Sequence, residues 1–515
     1  MYLILTSSKD AYITDKIIES KFRAVDANTG RAGTIDIFKL YNESFLSGET
    51  NPIELSRGLV KFDFSPLNAL TSSVLDINNF KCFLSLKSID TGHFTPSNFT
   101  LDIFPLSQSW DEGVGRDVGA FSDIDAVNFI TASFSGGTLY PWFASGANQK
   151  GLLGSDDIDV ISSGNIGSGN ENLFVQQFFH EGNEDLFVDV TKIVSATIVG
   201  LLPDHGFRIS FSELEEQDQK SRFVKRFYSR HVNNVFRQPS IRVLFDDSIK
   251  DDHESFYFNI TGSLFISNTV RGTSQNILSG TSLTEISGED CLLLKITTGS
   301  IYEKIVPVSS YTISTTGEPI RGLYVANFCI PYADNSLVIS GTQNFTLYDI
   351  ARASGSIKFE TEWCSLDQTM SFATGSLTIK TPKISSHNAI SQNPSVKIVN
   401  LKSKYSSSDN VRFRLFGKNI DNRIHPPVKL PVYAKSEFFE DVFYRVKDSL
   451  TGEIVIPFDR EFNSTRVSRD SEGMYFDFRM STLFSGKNYI FEFLIVSDGR
   501  DHIDTITQVN FRIEK

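Results

Sequence analysis

A chain of 515 residues exceeds what one hydrophobic core organises, and 40% hydrophobic with 22% charged residues excludes a disordered composition. The net charge of −13 excludes a sequence-independent grip on nucleic-acid phosphates, which needs a basic field. With 44 phenylalanines against four methionines, the chain favours β domains with rigid aromatic cores.

The first segment, MYLILTSSKDAYITDK, has a short apolar run but no basic n-region or cleavage site, and no run of 18 apolar residues occurs anywhere. Neither a signal peptide nor a membrane partner is expected. Strand-like alternation begins in SRGLVKFDF, where Val60, Phe62 and Phe64 share one face and Lys61 and Asp63 the other. In KCFLSLK, Cys82 lies on the side of Leu84 and Leu86 and reads as a buried free thiol. The stretch NFTLDIFPLSQSWDEG alternates until Trp110 and then stops. Residues Gly136 to Asn172 are glycine-rich and read as a long loop, the expected functional insertion. DLFVDV, HGFRISF and SIRVLF resume the two-residue rhythm, and Val190 to Leu202 is the best helix candidate. Half-buried strands joined by Gly, Ser, Asp and Asn predict an all-β chain of tandem antiparallel β-sandwiches, jelly-roll-like first and Ig/fibronectin-like afterwards.

Linkers are expected at Asp246 to Glu254, a solvated acidic run, and at Thr381 to Pro394, rich in Pro, Ser and Asn. They divide the chain into domains at 1–247, 255–381 and 394–515. Cys82, Cys291, Cys329 and Cys364 are scattered singly, so neither a metal site nor disulfides are expected, and folding in a cytosol follows.

In order, the first half carries Asp10-Ala11-Tyr12, Arg57-Gly58-Leu59-Val60-Lys61-Phe62-Asp63 and Trp110-Asp111-Glu112-Gly113. Phe187-Val188-Asp189-Val190-Thr191, Phe207-Arg208-Ile209-Ser210-Phe211, Phe227-Tyr228-Ser229-Arg230 and Pro239-Ser240-Ile241-Arg242-Val243 follow. This series resembles the DNRLRE-type β-sandwich domains of secreted bacterial surface proteins and tailed-phage virion proteins, over residues 1–247. It departs from them at His231, where an acid often follows the Ser-Arg pair. The lack of a secretion signal points to the phage branch, so the resemblance implies a virion protein made in the host cytoplasm.

Asp111 and Glu112 are adjacent, so on an extended backbone they point apart and cannot flank one glycosidic bond. Trp110-Asp111-Glu112-Gly113 is therefore read as a structural corner. The acidic loop Asp156-Asp157-Asp159 lacks EF-hand spacing, and the His180 to Asp185 stretch lacks zinc spacing. Gly113 to Gly119 is not a dinucleotide fingerprint, and no GxSxG elbow exists. No catalytic residue, metal or cofactor is expected.

One basic run remains, KSRFVKRFYSR. Either it is a strand face neutralised by acids such as Glu213, Glu215 and Glu216, or Arg222, Lys225, Arg226 and Arg230 with Phe227 and Tyr228 form a partner-binding patch. The expectation is a non-enzymatic structural component of a tailed-phage virion, at the neck, tail or baseplate. Its partners would be other virion proteins and copies of itself. The alternative is a carbohydrate-binding adhesin that recognises host surface glycan through Trp110, Tyr140 and Trp142.

Overall fold

The computed structural model describes residues 1–71, 80–90, 95–119, 123, 125–167, 169–253, 256–270, 273–280, 283–299, 302–312, 319–331, 338–340, 343–381, 393–419, 436–497, 500–504 and 509–515. Half of the described residues are strand and 8% are helix, in tandem antiparallel sheets, so the chain is all-β. It divides into two compact units, one of Leu3–Ala69 with Phe80–Val243, the other built on Leu244–Lys515.

The first unit is organised around the strand Ile53–Phe62, whose Leu59, Val60 and Phe62 are all fully buried. It is buried on both faces because it is central. Tyr2–Thr14 pairs antiparallel with it on one side, Asp10 opposite Val60, and Phe207–Phe211 on the other, Phe207 opposite Val60. Phe99–Pro105 and Val175–Phe179 continue the sheet beyond Phe207–Phe211, while Ser240–Leu244, Lys81–Leu86 and Leu186–Asp189 continue it beyond Tyr2–Thr14. The outermost strands meet through Gln177, whose side chain accepts from Phe187 N and donates to the Asp185 carbonyl. Inside, Phe99 stacks on Phe179 at 4.9 Å and meets Phe211 edge-on at 5.2 Å. Cys82 is fully buried and unbridged, as its place beside Leu84 and Leu86 predicts. The expected helix spans Thr191–Val199 and stops at Gly200, whose φ of 82° few other residues adopt readily.

The glycine-rich stretch is not the long loop its composition suggests. It holds a hairpin, Thr131–Ser135 with Thr138–Pro141, and a three-stranded sheet of Lys150–Leu152, Val160–Asn165 and Asn170–Asn172. Gly136 and Gly137, at φ 60° and 84°, make the hairpin's two-residue turn.

In the second unit, Gly262–Ser267, Pro319–Phe328, Tyr302–Thr312, Leu292–Thr298, Ser356–Cys364 and Ser371–Lys380 form a six-stranded sheet in that order, antiparallel throughout. Leu292, Leu294, Ile296, Tyr324 and Phe359 anchor its core. The last 120 or so residues make a four-stranded and a six-stranded sheet joined by rings. Tyr444 stacks on Phe476 at 4.5 Å, and Phe491 on Phe511 at 4.9 Å.

The first expected linker is no solvated tether. Ile249 N donates to Ser468 Oγ at 3.0 Å, Lys250 pairs with Asp441, and Asp252 with Arg469, so the acidic run is strapped along a sheet edge. Its last residue, 254, and positions 382–392 of the second expected linker lie outside the described residues.

Candidate functional site

The motifs that are far apart in sequence converge in the first unit. Trp110 lies buried in the corner five residues beyond the strand Phe99–Pro105, and its Nε1 donates to the His205 carbonyl at 3.0 Å. Asp111 and Glu112 do diverge. Asp111 accepts from Phe134 N, while Glu112 turns inward to take both Nε and Nη2 of Arg230 at 2.6 and 2.5 Å, and Asp10 N at 2.9 Å. Asp10 in turn accepts from Arg230 N. Burial, reinforced by the Glu112 charge, pushes the Asp10 carboxyl up to about 7 against the opposing pull of Arg230.

His231 stands in the same cluster, so Asp10, Glu112 and His231 could each offer an atom to a cation within 4.8 Å of one another. Their bonding does not fit that use. Both Glu112 oxygens are taken by the Arg230 guanidinium, and His231 Nε2 is engaged with the Gly30 carbonyl at 2.8 Å. An ion would have to displace a bidentate arginine. The glycines that follow serve the same corner: a Cβ on Gly115 would fall 1.9 Å from the Asn28 carbonyl oxygen. Asn28 itself receives Gly115 N and donates to the Glu112 and Val127 carbonyls.

A second cluster holds the insertion. Arg57 grips Glu216 through Nε and Nη2 at 2.9 and 2.6 Å and sends Nη1 to the Gly146 carbonyl. Arg208 donates to the Ala147 carbonyl at 2.9 Å and lies over the Phe104 ring at 4.9 Å. Burial, then the neighbouring Arg57 charge, lowers Arg208 to about 10. Two arginines from adjacent central strands thus pin one turn of the insertion. Asp159 fixes the rest of that turn: its carboxylate accepts from Phe143 N, Ala144 N and Gln149 N at 2.8 to 2.9 Å. This is what the acidic loop contributes, since Asp159 is fully buried while Asp156 and Asp157 are exposed. Sequence patterning missed this role. The one signal was an acid flanked by Ile158 and Val160, both apolar.

The basic run is only partly at the surface: Lys225, Phe227 and Ser229 are buried, Lys220 and Phe223 are exposed, and the rest are half-buried. Arg222–Tyr228 is a strand paired with Thr34–Tyr41, Arg226 opposite Asp36. Lys225 and Phe227 are fully buried, so they cannot belong to a partner-binding surface. Lys225 Nζ donates to Ser88 Oγ and to the Gly182 and Glu184 carbonyls at 2.7 to 2.8 Å, between the rings of Phe179 and Phe227. Burial brings its ammonium down to about 8. Arg222 is bidentate to Asp218, Arg226 to Asp36, and Arg230 to Glu112. Tyr228 accepts at its hydroxyl from Arg237. The neutralising acids are therefore Asp218, Asp36 and Glu112, with Glu215 near Arg222 at 3.8 Å. Glu213 instead pairs with Lys150, and Glu216 with Arg57.

Two of the three glycan candidates are likewise inside. Trp110 and Trp142 are 2% and 4% exposed and share one apolar cluster with Ile13, Leu59 and Phe104, so neither offers an open ring face. Tyr140 is exposed, on the hairpin.

No family model and no curated protein matches the chain. Among solved structures, trypsin-activated alpha-2-macroglobulin from Escherichia coli aligns at 9% identity and TM-score 0.17, over 91% of this chain and 23% of its own length. The Ig1-2 module of the Drosophila receptor tyrosine phosphatase DLAR aligns at 6% and 0.14, over 52% of this chain and 95% of its own. The FN1-FN3 domains of chicken CNTN1 align at 9% and 0.13, over 60% and 87%. Likeness at these scores carries no argument about function.

Proposed function

We propose that the chain is a non-enzymatic structural component of a tailed-phage virion, bridging neighbouring subunits through its β-sandwich surfaces. One observation carries the non-catalytic reading: the charged side chains its motifs supply are engaged with one another. Arg57 with Glu216, Arg226 with Asp36 and Arg230 with Glu112 form closed bidentate pairs, leaving no convergent acid and base beside an open cleft among the described residues. These pairs hold a framework and an insertion in place. That is the chemistry of presentation. The virion assignment is supported by the resemblance of residues 1–247 to DNRLRE-type domains.

Mass spectrometry of purified particles made from the genome that encodes this chain tests the reading. The chain should be present in many copies, and particles from a nonsense allele should lack it and show a neck, tail or baseplate defect. Its absence from intact particles would overturn the assignment.

A further inference from the structure

The hairpin Thr131–Ser135/Thr138–Pro141 is unlike the rest of the surface. Every residue from Phe134 to Pro141 is exposed, and every residue from Ala126 to Gln149 is uncharged, in a chain of net charge −13. Phe134 and Leu139 are paired across the hairpin, so their side chains share one face, at 36% and 46% exposure. Tyr140, 49% exposed, points to the other. The hairpin's two edges differ. Along Thr131–Ser135, Asp111 covers the edge, donating its N–H to the Ala132 carbonyl and accepting from Phe134 N. Along Thr138–Pro141, no strand is paired on the outer side among the described residues. Soluble proteins blunt such an edge with charge, and this one carries none.

The base of the hairpin is rigid. Trp142 plugs the core with Nε1 on the Asn128 carbonyl at 2.9 Å, and Asp159, Arg57 and Arg208 hold the turn that follows. The edge is therefore presented in a fixed pose, which lowers the entropic cost of pairing.

We propose that Thr138–Pro141 pairs antiparallel with the same strand of a second copy of this chain, about a two-fold axis at Leu139. An antiparallel pair related by a two-fold sets each residue on the axis opposite itself. Leu139 then faces Leu139 of the second copy, and the strip Phe134–Leu139 continues unbroken across four strands. Tyr140 comes to lie over Thr138 of the second copy on the opposite face. The uncharged stretch lets two strongly acidic molecules approach there without like-charge repulsion. The exposed side chains of Ile130, Phe134, Leu139, Tyr140 and Phe143 supply roughly 1,000 Å² over two copies, the low end of specific interfaces and enough for a weak contact that symmetry multiplies. This names a partner for the bridging role proposed above and rests on it only for its place in a particle.

Sedimentation velocity of the full chain over a micromolar concentration series tests the pairing. A reversible dimer is expected. Leu139→Lys and Leu139→Glu should each weaken it by about tenfold or more, because each puts like charges face to face. An equimolar mixture of the two variants should recover the dimer, since the mixed pair is oppositely charged. A wild-type monomer throughout the series overturns the proposal, as does a dimer that neither variant weakens, or one the mixture fails to restore. Flotation with neutral phosphatidylcholine vesicles addresses the competing use of an apolar hairpin: vesicle binding by a monomeric wild type assigns it to a lipid surface instead. Absence of the chain from particles would sink the virion reading and leave the dimer standing, so the two failures are separable.

Discussion

The unit Leu3–Val243 and the C-terminal pair of sheets over 394–515 are both β structures, yet they are filled with different chemistry. All the buried lysines and arginines among the described residues, Lys39, Arg57, Arg208 and Lys225, belong to the first. The C-terminal pair is filled with rings: Phe413, Tyr444, Phe476, Phe491 and Phe511 touch one another in a continuous network. There the cations lie nearer the surface, as in the half-exposed pair Arg412–Asp477. Apolar contact is non-directional and stabilises any well-filled arrangement, whereas a buried guanidinium is tolerable only where each N–H finds its acceptor. The first unit therefore uses buried cations to fix where the insertion sits.

Removing a counter-ion should hurt the first unit most. Glu216→Ala leaves the buried Arg57 without its carboxylate partner, a loss of about 3–5 kcal/mol. The two tryptophans of the first unit, Trp110 and Trp142, make this readable by fluorescence during urea unfolding on a Trp363→Phe background. A loss below about 1 kcal/mol would mean that Arg57 is solvated and the comparison is wrong.

The next effect depends on pH. Asp10 titrates near 7 in the folded chain against an ordinary 3.8, so the folded state holds a proton that the unfolded state has released. Its contribution is fully present below the ordinary value and is lost as pH rises through about 7. Asp15, raised to about 6 chiefly by burial, acts in the same direction. Stability of the first unit should fall with a slope approaching about 1.4 kcal/mol per pH unit for each group, from about pH 4 to 7 through Asp10 and from about pH 4 to 6 through Asp15, and Asp10→Asn should remove the first share. Urea midpoints across that range, in both proteins, provide the check. An unchanged slope would show that Asp10 is ionised and satisfied by Arg230 alone.

Much of this was legible in the sequence. The two-residue rhythm of RGLVKFD and FRISF located strands, though as half-buried ones where the structure buries both faces, and the adjacency of Asp111 and Glu112 foretold their divergence. What could not be read was which charges meet. Glu112 and Arg230 lie 118 residues apart and join only because the sheet order brings their strand ends together. The basic run misled because alternation marks faces but does not say which face is buried, and Lys225 occupies a buried position that patterning assigns to apolar residues. Trp110 is buried, as its reading as a structural corner requires, whereas Trp142 misled for the related reason that an indole beside a turn reads as exposed until the insertion is seen folding over it. The glycines of 136–172 suggested a loop because glycine marks tight turns as readily as irregular chain.

In the ring-filled region a conservative truncation should cost less than a lost counter-ion. Phe476→Leu keeps volume near the stacked Tyr444 but forfeits the ring contacts, for a loss of about 1–1.5 kcal/mol. Near-ultraviolet circular dichroism and Trp363-monitored unfolding would show whether the change stays confined to the second unit, as packing loss requires. A cost equal to that of Glu216→Ala would erase the distinction between the two interiors.

The smallest effect is the sharpest test. Arg412 meets Asp477 with two 2.8 Å bonds and lies 4.3 Å over the Tyr475 ring, a geometry as regular as that of Arg230 with Glu112. The pairs differ in burial: Arg412 and Asp477 are 49% and 42% exposed, Arg230 and Glu112 are 32% and 15%. If geometry set the energy, alanine at either arginine would cost the same. If desolvation sets it, Arg412→Ala should cost at most about 1 kcal/mol, since water solvates the orphaned Asp477. Arg230→Ala should cost clearly more, because the largely buried Glu112 carboxylate would lose its paired cation. Equal losses in paired urea titrations would mean that hydrogen-bond geometry, rather than the surroundings of the charge, sets the energy of such pairs.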